Sequence, residues 1–147
     1  MQSFIKIKWS NVTANVLMWA FVLVLLQSCN SEKYNFATST VVPAAEGSVE
    51  VEKDGNDNYE VNLKITRLAE PSRLTPPRKL YLVWVQTEKD GVKNIGQLKT
   101  DSGFLSDELK SSLKTLTPFK PIGFLISAED DLNAAQPVGQ IVMQTEK

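Results

Sequence analysis

The sequence predicts an all-β domain of sandwich type, and three observations carry that prediction. Apolar residues alternate with polar ones on both sides of a Gly/Asn/Asp cluster at residues 54–58. The segment 80–85 (LYLVWV) is apolar throughout, and turn signals recur between short runs of strand-favouring residues. Six or seven short strands punctuated in this way favour two packed antiparallel sheets over a helical bundle or a parallel sheet.

The elements follow in order. Val49 and Val51 alternate with Ser48, Glu50 and Glu52; beyond the cluster, Tyr59, Val61, Leu63 and Ile65 alternate with Glu60, Asn62, Lys64 and Thr66. A period of two on both arms of a turn is a hairpin with one buried face. Residues 80–85 read as a central strand covered on both faces, which puts Trp84 in the core. Asp90-Gly91 turns the chain into a returning strand over about 92–100, where Gly96 implies a bulge or a close backbone approach. Leu105, Leu109, Leu113 and Leu116 have helical spacing with Ser106 placed as a cap, yet Thr117-Pro118 and another extended run follow, so helix and strand both stay open for 105–117. Residues 121–128 (PIGFLISA) and 139–145 (GQIVMQT) complete the series as strands.

The first thirty residues have a different character. Lys6 and Lys8 precede an uncharged apolar run at 16–26, and Gln27-Ser28-Cys29 follows at once. This is signal-peptide anatomy, since the 11 residues of the run fall short of the roughly 20 that a spanning helix needs. Leu26-Gln27-Ser28-Cys29 resembles the bacterial lipobox, in which the cysteine is acylated by palmitate-type chains and becomes the new N-terminus. The chain's single cysteine stands directly behind the apolar run. The resemblance implies a lipoprotein held to a membrane through Cys29 on the extracytoplasmic side of the cell envelope, because several acyl chains give stable anchoring where one gives marginal residence. Cys29-Asn30-Ser31-Glu32-Lys33 also resembles the export tags of surface lipoproteins in Bacteroidetes, which implies the outer membrane over the inner one, with periplasm and outer membrane as the expected compartments. The expected organisation is a signal peptide at 1–28, a lipidated cysteine and flexible Ser/Thr-rich tether at 29–43, and a sandwich at 44–147.

Charge and composition narrow the function. The chain carries 16 basic and 17 acidic residues; without Lys6 and Lys8 the mature part has fourteen against seventeen, or −3, which gives nucleic acid no electrostatic footprint. No histidine is present, so the usual general base near neutral pH and the usual zinc ligand are both missing. Ser-His-Asp catalysis is thereby excluded, and no Gly-x-Ser-x-Gly elbow occurs. No catalytic residue, no metal site and no cofactor is expected, and a small serine-lysine hydrolase is the residual enzymatic alternative.

Over roughly the last seventy residues, Tyr81-Leu82-Val83-Trp84-Val85, Gly91, Ile95-Gly96-Gln97-Leu98, Ile126-Ser127-Ala128-Glu129 and Pro137-Val138-Gly139 resemble the series found in the extracytoplasmic domain of anti-sigma-K factors. The resemblance implies an immunoglobulin-like sandwich. It also suggests a sensor or accessory arm of an anti-sigma-type regulatory system, although only about fifteen residues precede the apolar run, too few to form a sigma-binding domain.

Three sets of residues are candidates for function. Asp54, Asn56 and Asn58 alternate as in a calcium loop, but Tyr59 and Ile65 stand where its glycine and glutamate belong, so a hairpin turn is expected. Glu129-Asp130-Asp131 offers paired carboxylates, expected as a solvated acidic loop. Arg67, Arg73 and Arg78 punctuate the proline-rich connection 70–77, and a stiff basic loop of this kind suits recognition of an envelope protein or a glycan. The leading expectation is a non-enzymatic binding module.

Overall fold

The computed structural model describes residues 31–102 and 109–146 of the chain. The valine and isoleucine alternation around the Asp54 turn produces β2 (Glu46–Lys53) and β3 (Tyr59–Thr66), paired in register from Lys53↔Tyr59 to Glu46↔Thr66. Val49, Val51, Val61, Leu63 and Ile65 are buried along one face, while Glu50, Glu52 and Lys64 face solvent on the other. β4 (Leu80–Gln86) is apolar on both faces and lies between β5 (Val92–Gln97) and β8 (Gly123–Glu129).

The remaining strands are β1 (Ser31–Asn35), β6 (Lys99–Ser102), β7 (Leu109–Thr117) and β9 (Gln140–Gln144). Two antiparallel sheets result, β1-β2-β3-β7-β6 and β5-β4-β8-β9. The order β2-β3-β7-β6 over β5-β4-β8-β9 is that of immunoglobulin strands A-B-E-D over C′-C-F-G, with β1 added outside the first strand. Their inner faces enclose one core built from Val49, Leu63, Ile65, Tyr81, Val83, Phe124 and Ile126 among others.

Nine strands are present among the described residues, where about six to seven were expected. One addition comes from the return of the second hairpin. Val83 faces Gly96 and Trp84 faces Asn94, so Ile95 is the extra residue of a bulge at the glycine, whose φ of 137° suits no other residue type. The chain then crosses at the buried Leu98 from one sheet to the other, splitting the single strand expected at 92–100 into β5 and β6.

The other addition corrects the expected tether. Ser31–Asn35 pairs with β2 over its whole length, Phe36 bridges to Thr145, and the buried Ser39 hydroxyl donates to the Val142 carbonyl at 2.5 Å. Tyr34 and Phe36 pack on the core between exposed Lys33 and Asn35, an alternation concealed by the polar composition of the segment. The sandwich therefore already includes residues of the segment 31–43, ahead of the expected start at 44. For the open stretch 105–117, the described part is strand: Leu113 turns inward and Leu116 outward, because a period of two separates an odd from an even position. Leu105 and Ser106 lie outside the described residues.

Tyr81 is buried in the core and donates its hydroxyl to the Ala69 carbonyl at 2.8 Å. Burial pushes that hydroxyl up to about 12, and burial followed by the neighbouring Glu32 carboxylate does the same for Tyr34. Folding thus favours the protonated phenols, and their contribution is complete below pH 10 and lost as pH rises from 10 towards 12. Alkaline titration of stability is expected to fall in this window, with Tyr81 responsible for about 2 kcal/mol by pH 12. Tyr81→Phe should flatten the fall, and an unchanged slope in that variant would contradict the assignment.

Candidate functional site

The structure separates the three arginines. Arg67 follows β3 with a left-handed φ of 57°, uncommon for a side-chain-bearing residue. Its backbone N–H donates to the Leu109 carbonyl at 2.8 Å, its Nε to the Ala44 carbonyl at 3.1 Å, and its Nη2 pairs with Glu46 at 2.6 Å. Arg67 thus clasps the beginnings of β2 and β7. Arg78 pairs through Nη1 with Asp130 at 2.6 Å, and its Nε is buried without a hydrogen-bond partner among the described residues. Both belong to the framework.

Arg73 differs from them. It closes a 3-10 turn at Pro71–Arg73, which is pinned by its own N–H to the Glu70 carbonyl and by the Arg78 N–H to the Pro71 carbonyl, both at 2.9 Å. Its side chain is exposed and has no partner among the described residues. Beside this turn an open cleft of about 530 Å³ runs to the β5–β6 crossover, lined by Glu70, Ser72, Lys79, Gln97 and Lys99. Of the three arginines expected to recognise a partner, Arg73 alone has no side-chain partner among the described residues.

A second arrangement at this end is absent from the sequence reading. Trp84 is fully buried on the face of β4 turned away from the main core, in a smaller cluster with Leu82 and Leu125 that Ala134 helps to cover. Its Nε1 donates to the Ser127 hydroxyl at 2.8 Å, and that hydroxyl donates to Glu129 Oε1 at 2.5 Å. The Glu129 carboxylate, only 3% exposed, also accepts the Val138 N–H at 3.1 Å and the Gly139 N–H at 2.9 and 3.0 Å. Gly139 must be glycine, since a Cβ there would lie 1.8 Å from the Ala128 carbonyl oxygen.

Glu129 is therefore not part of a solvated acidic loop, contrary to expectation; its burial is compensated by four donated hydrogen bonds that tie down the 130–139 connection. Asp130 and Asp131 are exposed as expected, the first paired with Arg78 and the second accepting the Asn133 N–H at 2.9 Å. Three adjacent carboxylates thus hold three different structural positions. The signal was present in the sequence, because period two puts Ser127 and Glu129 on the same face of β8 as Leu125, towards Trp84.

At the other end, Asp54 Oδ1 accepts the N–H groups of Asn56 and Asn58, each at 2.8 Å. These backbone hydrogen bonds, Asn58 first, hold its carboxyl below the ordinary carboxylate range. The loop is a hairpin turn closed on its own aspartate, with Asp57 paired to Lys53 at 2.6 Å. Cys29 lies outside the described residues.

Comparison with protein families, with characterised proteins and with solved structures returns no match for this chain.

The Glu129 network makes a direct prediction. Glu129→Gln preserves shape but turns an amide N–H₂ towards donors, and is expected to cost about 1–3 kcal/mol of stability in urea unfolding followed by Trp84 emission. A change within about 0.5 kcal/mol, the size of an ordinary surface substitution, would show that the carboxylate does not hold the connection.

Proposed function

We propose that this protein is a lipid-anchored lipoprotein of the bacterial cell envelope whose sandwich is a non-enzymatic interaction module. It binds an envelope protein or a glycan through the end that carries Arg73. The observation that carries this reading is one of placement. Ser31, two residues after Cys29, pairs with Glu52 beside the Asp54 turn. Arg73 and the adjoining cleft lie at the opposite end, where β3 leads into β4. The eight residues of β3 separate the two ends by about 26 Å. An anchor at Cys29 turns the free guanidinium away from the membrane, and its rigid donor fork suits carboxylate, sulfate or phosphate groups on a partner.

The engagement of Glu129, Asp130 and Asp131 in framework contacts supports binding over catalysis. The likeness of residues 29–33 to surface-lipoprotein tags supports the outer membrane. A second reading, the accessory arm of an anti-sigma-type system, draws support from one fact. Trp84, Ser127, Glu129, Val138 and Gly139, all within the segments that resemble that family, meet in one network. Loss of the gene without any change in envelope-stress transcription would remove that second reading.

The leading reading is tested by crosslinking the tagged protein in living cells and identifying what it retains. Arg73→Ala is expected to weaken capture of the recurrent partner about tenfold or more, as for a central arginine of an interface. It should leave stability within about 0.5 kcal/mol of wild type. Undiminished capture by Arg73→Ala would remove this loop from the binding surface.

A further inference from the structure

We propose that the connection at residues 117–122, with Ile122 exposed where it enters β8, lies on the headgroup layer of the bilayer that holds the anchor and fixes the domain upright. The inference rests on the lipid-anchor reading and adds a second, non-covalent contact to it. Two peptide units separate Cys29 from Ser31, a reach of at most about 7 Å. An acylated Cys29 therefore brings Ser31, and the end of the sandwich to which it belongs, against the bilayer. The connection 117–122 lies at that same end: Tyr59 of β3 faces Thr117 just as Lys53 of β2 faces Tyr59, and Gln86 faces Gly123. It is also joined directly to the anchor strand, because the Tyr34 hydroxyl of β1 lies 3.2 Å from the Pro121 carbonyl oxygen.

The chemistry of the connection suits an interface. Ile122 is 55% exposed, Leu116 just before it 61%, and Pro118 is exposed as well. Ile122 is held outward, since its N–H donates to the Gln86 carbonyl at 2.8 Å, Pro121 beneath it is buried, and the Phe119 N–H meets the Thr117 hydroxyl at 3.3 Å. The exposed lysines Lys89 and Lys120 flank Ile122 around an open cleft of about 310 Å³. An exposed apolar side chain between ammonium groups matches the boundary between acyl chains and phosphates, with lysine heads at the phosphate level. Glu88 and Asp90 share the cleft, so the contact depends on the isoleucine and not on net positive charge. One such side chain does not recruit a protein by itself. It acts because the acyl anchor supplies a high local concentration.

The test uses the processed, acylated full chain in vesicles of phosphatidylethanolamine and phosphatidylglycerol. Lys120→Cys, which leaves Ile122 in place, and, separately, Ser72→Cys carry an environment-sensitive fluorophore, and doxyl-labelled lipids in the same vesicles act as quencher. Acylation blocks the Cys29 thiol, the intact mass of each sample reports that acylation, and unchanged Trp84 emission reports the fold. The expected result is loss of fluorescence at position 120, none at 72, and no vesicle binding by Cys29→Ser. Equal and negligible quenching at both positions on acylated protein would overturn the inference and leave the anchor reading standing. A blue-shifted but unquenched label at 120 would point to a second copy of the chain on this loop and overturn it likewise. An unacylated Cys29 would overturn the anchor reading and the inference together.

Discussion

The indole of Trp84 is buried on the side of β4 that faces away from the other sheet, and this imposes a requirement that two packed sheets alone do not meet. A β-sandwich covers one face of each sheet, so the second apolar face of β4 needs another cover and its indole N–H needs an acceptor. The 130–139 connection supplies the cover, and Ser127 with Glu129 supplies the acceptors. The carboxylate closes the arrangement by taking the Val138 and Gly139 N–H groups, which fixes the chain entering β9. In antibody domains the conserved tryptophan of the corresponding strand packs inside the sandwich. Here it points outward, and the outer face has acquired a small core of its own.

This arrangement decides which parts of the molecule are free to act. Arg78 and Asp130 brace the start of β4 against the end of β8, and Arg67 braces β2 and β7 at the same end. The proline-framed turn between them is thereby held on a firm base, and Arg73 projects from it without a partner among the described residues. The opposite end holds the Asp54 and Asp90 turns, the 117–122 connection and the entry of the chain at Ser31. A polarity follows from the strand pairing alone: one end receives whatever precedes residue 31, and the other presents a free cationic side chain beside a polar cleft.

Much of the fold was legible because period-two patterns are short-range. The β2–β3 hairpin, the doubly covered β4, the turn at Asp90-Gly91 and the bulge at Gly96 all follow from local alternation and from glycine. Two features were concealed. In β1 the inward Tyr34 and Phe36 sit in a polar, Ser/Thr-rich segment whose composition reads as linker. The four leucines at 105, 109, 113 and 116 repeat at three to four residues in the sequence, yet in β7 Leu116 lies on the outer face where the strand period puts it. For the site, the proline-rich loop was visible as a stiff exposed connection, but the separate tasks of Arg67 and Arg78 depend on partners 21 and 52 residues away, at Glu46 and Asp130. In the sequence Glu129 resembles an exposed acid, because the N–H groups that surround it lie 9 and 10 residues further along the chain.

The functional account depends first on the anchor at Cys29. Metabolic labelling of living cells with a radioactive or clickable palmitate, comparing the wild-type chain with Cys29→Ser, tests it most directly. Label is expected on the wild-type protein and none on the variant, with release of the variant from the membrane fraction. Label on both chains, or on neither, would contradict it.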